Sequence, residues 1–380
     1  MQPSIEELRG KAMERARKRE YATAADIHRQ ISKLLEDKGD PRGAAKASEE
    51  AAEIYAFGRR SAESARESTR AAKLYEEAGE HELAAVNWGS AAHGHMRVGN
   101  MRQSAYAYEE AGKAYARQGD GLMKSDPKGA CDAFDMAARA HTEEGFALGD
   151  MGDPTRASWA YAKVGDAGMK AAKASLGQKD WSAAATFFGR AGEAYYHSDT
   201  PKKALAAYAK ARSLHNSMAR RLQNEGLRHH ALEQLKESAD LMHGTAEVYS
   251  MVEPARARAY YKKAADAFVE NGRAWMKASM PKEAAMSHGS AAFINREMRE
   301  YDRSGRLFNK AARLFSRARN HGHAGEAHLE AMRSYAAMHR YDLAHKSGKR
   351  AAAEYWRARD IPKWGLSHIL ARVAKARKRY

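Results

Sequence analysis

The feature that most constrains this chain is that it repeats itself. From Pro281, Tyr301, His321 and Tyr341, four consecutive segments of 20 residues carry small or apolar side chains at matching offsets. Ala284, Ser304, Ala324 and Ala344 align, as do Ala291, Ala311, Ala331 and Ala351, followed by Ala292, Ala312, Met332 and Ala352. His288, Phe308, His328 and Gly348 share another offset, and Asn295, Phe315, Tyr335 and Tyr355 a later one. These offsets advance by steps of 1, 3 or 4, which puts them on one stripe of a helix. Each segment is therefore one amphipathic helix plus a short turn. Such a unit cannot cover its own apolar stripe, so it folds only against neighbours of the same kind.

The same phrase occurs earlier. Ala84-Ala85, Trp88, Ala91-Ala92 and Gly99-Asn100 return 20 residues on as Ser104-Ala105, Tyr108, Ala111-Gly112 and Gly119-Asp120. Two helices make a repeat longer than the about 34 residues of a tetratricopeptide hairpin, which predicts longer helices. Between about 121 and 280 the spacing widens, as in Ala130, Ala157 and Ala183, and predicts helices longer still. Seven prolines (Pro41, Pro127, Pro154, Pro201, Pro254, Pro281 and Pro362) open helical patterns, where the missing N–H has no intrahelical partner to lose. Gly39, Gly79, Gly99, Gly119 and Gly272 are expected at helix ends in left-handed closing positions. The expected fold is all-α: roughly seventeen helices in a right-handed α-solenoid of about eight antiparallel hairpins. A continuous array spans 1–360, its first 60 residues reading as added N-terminal hairpins, and a basic helix at 361–380 caps it.

Composition agrees. Of the 380 residues 80 are Ala, so much of the apolar content is methyl groups that let helix axes approach closely. Trp88, Tyr108, Trp181, Tyr195, Tyr208 and Trp275 fall on the Ala stripe and read as packing residues rather than base-stacking platforms. Lys and Arg total 65 against 48 Asp and Glu, a net charge of +17, which favours acidic protein surfaces, anionic lipid or nucleic acid as partners. The only cysteine, Cys131, excludes an internal disulfide and reads as a buried thiol. No run reaches the about 18 apolar residues of a membrane span, and Met1–Glu20 lacks the apolar centre of a secretory signal, so a cytoplasmic protein is expected.

Motifs that carry chemistry are few. The chain has no phosphate-binding Gly-x4-Gly-Lys sequence, no dinucleotide fingerprint and no His-Glu-x-x-His zinc helix. His321, His323 and His328 with Glu326 stand at helical spacing, yet the chain holds 17 histidines and scattered structural ones account for them better than a metal site. Neither enzymatic activity nor a cofactor is expected. The segment 361–380 stands apart: Lys363, Arg372, Lys375, Arg377, Lys378 and Arg379 with no acid, interleaved with Trp364, Leu366, Ile369 and Leu370. It reads both as a last helix closing the array and as an exposed docking tail.

These residues resemble those of the soluble NSF attachment proteins, helical-repeat adaptors that join SNARE bundles to an AAA+ ATPase. Ala71-Ala72-Lys73-Leu74-Tyr75, Ala111-Gly112-x-Ala114-Tyr115 and the Lys124-Ser125-Asp126-Pro127 turn look like the family's opening hairpins, over roughly residues 65–175. Trp364 followed by Ile369-Leu370-Ala371-Arg372 resembles its terminal helix. The resemblance implies an adaptor that grips an acidic helical protein on a basic face, with Arg117 and Lys124 among its contacts. It also implies recruitment of the ATPase through Trp364, Leu366, Ile369, Leu370, Arg372, Lys375 and Lys378. Where that family has an apolar membrane-touching loop this chain has Ala56-Phe57-Gly58-Arg59-Arg60, so membrane association would rest on partners. Two other readings of the same residues stay open: a nucleic-acid-binding repeat protein, and a regulator that senses a peptide or small ligand.

Overall fold

A computed structural model describes residues 4–377. Among them the chain forms helices only. They are α1 (Ile5–Arg17), α2 (Tyr21–Asp37), α3 (Pro41–Phe57), α4 (Ser61–Glu77), α5 (His81–Arg97), α6 (Met101–Leu122), α7 (Pro127–Asp150), α8 (Pro154–Gly177) and α9 (Trp181–His197). Then follow α10 (Pro201–Asn224), α11 (Arg228–Val252), α12 (Pro254–Lys277), α13 (Pro281–Glu297), α14 (Tyr301–Arg317), α15 (His321–Ala337), α16 (Tyr341–Arg357) and α17 (Ile361–Arg377).

The 20-residue period resolves into a 17-residue helix and a three-residue turn, as in α3 followed by Gly58-Arg59-Arg60. Six prolines stand at the first position of a helix, and Pro362 takes the second position of α17. Asp40, Asp126 and Asp153 accept hydrogen bonds from the N–H groups of Gly43, Gly129 and Arg156, which caps the helices those prolines open. The wider middle spacing does produce longer helices: α7, α8, α10 and α12 have 24 residues and α11 has 25, with the 17-residue α9 between them.

Turn closure departs from expectation. Gly39, Gly79 and Gly99 are left-handed, but so are Arg19, Arg59, Lys179, Asp199, Ser279, Arg299, Arg319, His339 and Arg359. The three-residue turn forces its middle residue into that conformation whatever its side chain, at about 1–2 kcal/mol for a residue with a Cβ. Gly119 and Gly272 end nothing. They lie inside α6 and α12, where a Cβ would come within 2.7 Å of the Phe134 ring and 2.9 Å of the His288 ring. Both are glycine because a ring from the next helix occupies that space.

The chain divides into two compact units, Met1–Ala207 and Tyr208–Tyr380, with the division inside α10. Within each unit the helices other than α10, which spans the division, pack on their neighbours in sequence, and helices two apart are joined by side chains. In the first unit Asn87 of α5 donates to Glu49 of α3, and Lys170 of α8 pairs with Asp120 of α6 at 2.7 Å. In the second, His243 of α11 meets Glu297 of α13 at 2.8 Å, Arg296 of α13 pairs with Glu330 of α15, and Arg303 of α14 with Asp266 of α12. Odd-numbered helices thus form one layer of a unit and even-numbered helices the other.

The core between the layers is the Ala stripe. Ala284, Ala291, Ala311, Ala324, Ala331 and Ala344 are fully buried, with Trp88, Phe134, Phe268, Phe308 and Tyr355 filling the larger gaps. Tyr108, Tyr195, Tyr208 and Trp275 are buried as the stripe predicts. Trp181 is not: as the first residue of α9 it precedes the turn that faces the core and is 40% exposed.

Candidate functional site

α17 packs on α16 in the second unit. Its Ser367, Ala371 and Ala374 are buried against the array, Ala371 so closely that a Cβ on Gly348 of α16 would lie 2.9 Å from its own. His345 of α16 reaches the Ala371 carbonyl at 2.7 Å, and half-buried Leu370 joins the cluster around Phe308, Met332 and Tyr335. The opposite face is open. Leu366, Ile369 and Val373, at positions i, i+3 and i+7, form an apolar stripe, with Leu366 54% and Ile369 60% exposed. Trp364 is half-buried and sits 5.5 Å, centroid to centroid, from the exposed ring of Trp356.

Basic side chains flank this stripe. Arg372, Lys375 and Arg377 are exposed and make no ion pair among the described residues. Lys363 is committed, to Glu326 of α15 at 3.1 Å, and Lys378 lies outside the described residues. One face of the helix thus closes the array and the other is left exposed.

Arg117 and Lys124 are placed elsewhere, in the first unit. Arg117 is exposed on α6 and pairs with Glu76 of α4 at 2.9 Å, while Lys124 is exposed in the turn after α6. The groove beside them, about 660 Å³, is lined by Glu80, Glu82, Asp126 and Asp132 as well as Arg117. Their surroundings are acidic rather than basic.

The unit as a whole is balanced. Residues 1–207 hold 31 Lys and Arg against 31 Asp and Glu, and residues 208–380 hold 34 against 17, so the entire surplus belongs to the second unit. Inside that unit it belongs to one layer. Helices α12, α14 and α16 carry 15 basic and 5 acidic residues, whereas α11, α13 and α15 carry 5 and 8. A running charge count along the sequence exposes the first asymmetry, and only the layering exposes the second.

Two grooves open on the odd-helix side. One of about 760 Å³ lies among α7, α8 and α9, with Phe146, Tyr161, Phe187 and His197 along it and Asp135 shared by Arg139 and Arg190 at 2.8 and 3.3 Å. The other, about 270 Å³, lies among α13, α14 and α15 and is lined by Met286, Phe293, Phe308 and Phe315. Cys131 is buried, its sulfur 3.3 Å from the Ser175 hydroxyl, and burial pushes the thiol pKa up, away from the reactive thiolate.

The histidines that share a helical spacing serve separate structural ends. His321 meets Glu354 at 2.7 Å, His323 meets its cap residue Asn320 at 2.7 Å, and His328 meets Asn309 at 2.7 Å. No group of three or more His, Cys, Asp or Glu gathers as a metal site among the described residues. Nor, among them, is any helix long and apolar enough to cross a membrane. Phe57 is the last residue of α3 and 80% exposed.

No protein-family model and no curated protein matches the chain. Solved structures that are similar to it include repeat proteins. One is a circular tandem repeat protein with a novel repeat topology, 14% identical over 97% of this chain and 90% of that one, at a TM-score of 0.29. Another is a signal-transduction ATPase with a tetratricopeptide repeat sensor from Pyrococcus horikoshii, 14% identical at a TM-score of 0.39. It matches 94% of this chain, which spans only 52% of that protein. A third is a yeast tetratricopeptide-domain complex with pHSP90, 15% identical over 68% of this chain and 98% of that one, at a TM-score of 0.25.

Proposed function

We propose that the chain is a non-enzymatic adaptor that docks a partner protein on the outer face of α17. The observation that carries this reading is the exposed Leu366–Ile369–Val373 stripe between unpaired Arg372, Lys375 and Arg377. Interfaces are anchored by a small apolar centre and given register by charges at the rim, and α17 offers both. The occupant whose chemistry fits this face is an amphipathic helix with acidic flanks.

The resemblance of 364–372 to the terminal helix of the soluble NSF attachment proteins supports an AAA+ ATPase as the protein so recruited, and an acidic helical bundle as the cargo. The 20-residue repeat supports a scaffold role for the rest of the chain, because a rigid stack presents long surfaces without needing a cleft.

The test is affinity capture with the intact chain and with a Leu366→Ser/Ile369→Ser variant. Both side chains point away from the core, so the variant folds. Loss of one helical or AAA+ partner from the variant, with thermal melting unchanged, is the expected result. Identical partners on both baits would overturn the assignment of the docking face.

A further inference from the structure

The even-helix face of the second unit is chemically unlike the odd-helix face. Exposed large apolar residues in the odd helices include Leu235 on α11, Met286 and Phe293 on α13, and the α17 stripe. On α12 and α14 there is none, and on α16 only Trp356 near its end. What these three helices expose instead is cationic. Arg273 of α12, Lys310 and Arg313 of α14 and Arg350 of α16 make no ion pair among the described residues.

They also crowd one another. Burial lowers the Lys310 pKa, and Arg273 and Arg313 lower it further. Buried His288 feels Lys310 and Arg273, and buried His328 feels Arg350 and Arg313, opposed by Glu354. Like charges in excess of the acids around them, here Glu270, exposed on α12, and Glu354 of α16, cost folding free energy, so the ridge favours a ligand that supplies further negative charge.

We infer that the α12–α14–α16 face binds the phosphate backbone of double-stranded nucleic acid without sequence preference. An acidic protein would need apolar anchors at the centre of the patch, and the ridge has none. Single strands would need aromatic platforms for their bases, which the exposed part of α12 and α14 also lacks. A polar, strongly positive surface on a regular scaffold matches the electrostatic, backbone-directed mode. This face is distinct from the α17 stripe, so the adaptor reading and this one can fail separately.

The test is fluorescence anisotropy of a labelled random-sequence DNA duplex with the full chain across a salt series. Substituting Arg273, Lys310, Arg313 and Arg350 together by Gln is expected to weaken binding at least about tenfold and to flatten the dependence of log affinity on log salt by about 3. A second variant changes Arg273, Arg313 and Arg350 to Lys, which keeps the charge and should retain most of the affinity. The control replaces Arg102, Lys128, Arg156 and Lys173 of the first unit, all exposed, by Gln and should leave binding unchanged. Absence of binding at low salt, equal losses from ridge and control variants, or tighter binding of polyglutamate than of duplex would each overturn the inference.

Discussion

The two units are built from the same helix-and-turn element, yet one is electrically neutral and the other carries the whole +17 of the chain. Both bury Ala on facing stripes, and both close turns with left-handed residues. They differ in how outward positions are spent. In the first unit charges are answered across the layer, as Arg70 is by Glu36 at 2.6 Å and Lys163 is by Glu109 and Glu144 at 2.8 and 2.9 Å. In the second, Arg303 of α14 is answered by Asp266 of α12, but Arg273, Lys310 and Arg313 act on one another without an ion pair among the described residues. A repeat fold fixes only its inward residues, so evolution can rewrite one unit's surface without touching its packing.

The largest expected break in this parallel is in the cores. Trp88 of the first unit is 1% exposed, and Trp88→Ala should cost about 3–5 kcal/mol. Calorimetry should show an early transition from the first unit with the second unit's melting little changed. A single transition shifted as a whole would mean that the units unfold together.

Acid should distinguish the units next. Burial, reinforced by neighbouring cations, pushes His288 and His328 of the second unit down to about 4. Above pH 6.5 these histidines are neutral in both folded and unfolded chains. Between pH 6.5 and about 4 only the unfolded chain takes up their protons, so stability falls as pH falls, by up to about 1.4 kcal/mol per pH unit for each. The loss ends once the pH drops below the folded value. Urea titrations at pH 7 and pH 5 should show it, and His288→Gln should remove its share of the slope.

Salt offers a third contrast. Raising ionic strength from low to physiological screens repulsion in the second unit and should raise its melting temperature, an effect on the order of 1 kcal/mol or less. The neutral unit should respond little. Equal responses would mean that the surplus is better neutralised than its missing ion pairs imply.

The smallest effect concerns the turns. Arg319 is held at φ 56°, and Arg319→Gly should stabilise the second unit by up to about 1 kcal/mol, the relief of strain outweighing the looser unfolded chain. Removing a base from the charged unit acts in the same direction. A matched Arg59→Gly in the first unit, at φ 58°, separates the two contributions.

Much of the architecture was legible because period and burial are the same information. Positions such as 291, 311, 331 and 351 recur in the sequence because each meets the same neighbour, and all four are fully buried. The prolines were legible too, since a missing N–H is tolerated at few places in a helix. Gly119 and Gly272 were misread because sequence shows that a Cβ is absent without showing whether a backbone turn or a neighbouring ring requires it. Trp181 was misread for a related reason: its period fits the stripe, but its place at the first residue of α9 turns it outward.

The candidate surfaces divide along the same line. By itself the sequence determined that this chain is a stack of antiparallel helices, that its last helix carries apolar and basic residues with no acid, and that its charge is positive, because local period and composition decide those things. Only the tertiary structure decided that Leu366, Ile369 and Val373 face outward while Ser367, Ala371 and Ala374 face the array. It also decided that Arg117 is answered by Glu76, and that Arg273, Lys310, Arg313 and Arg350, drawn from three helices, share one face. Charges sum in space, and which ones sum is set by the alternation of helices between two layers.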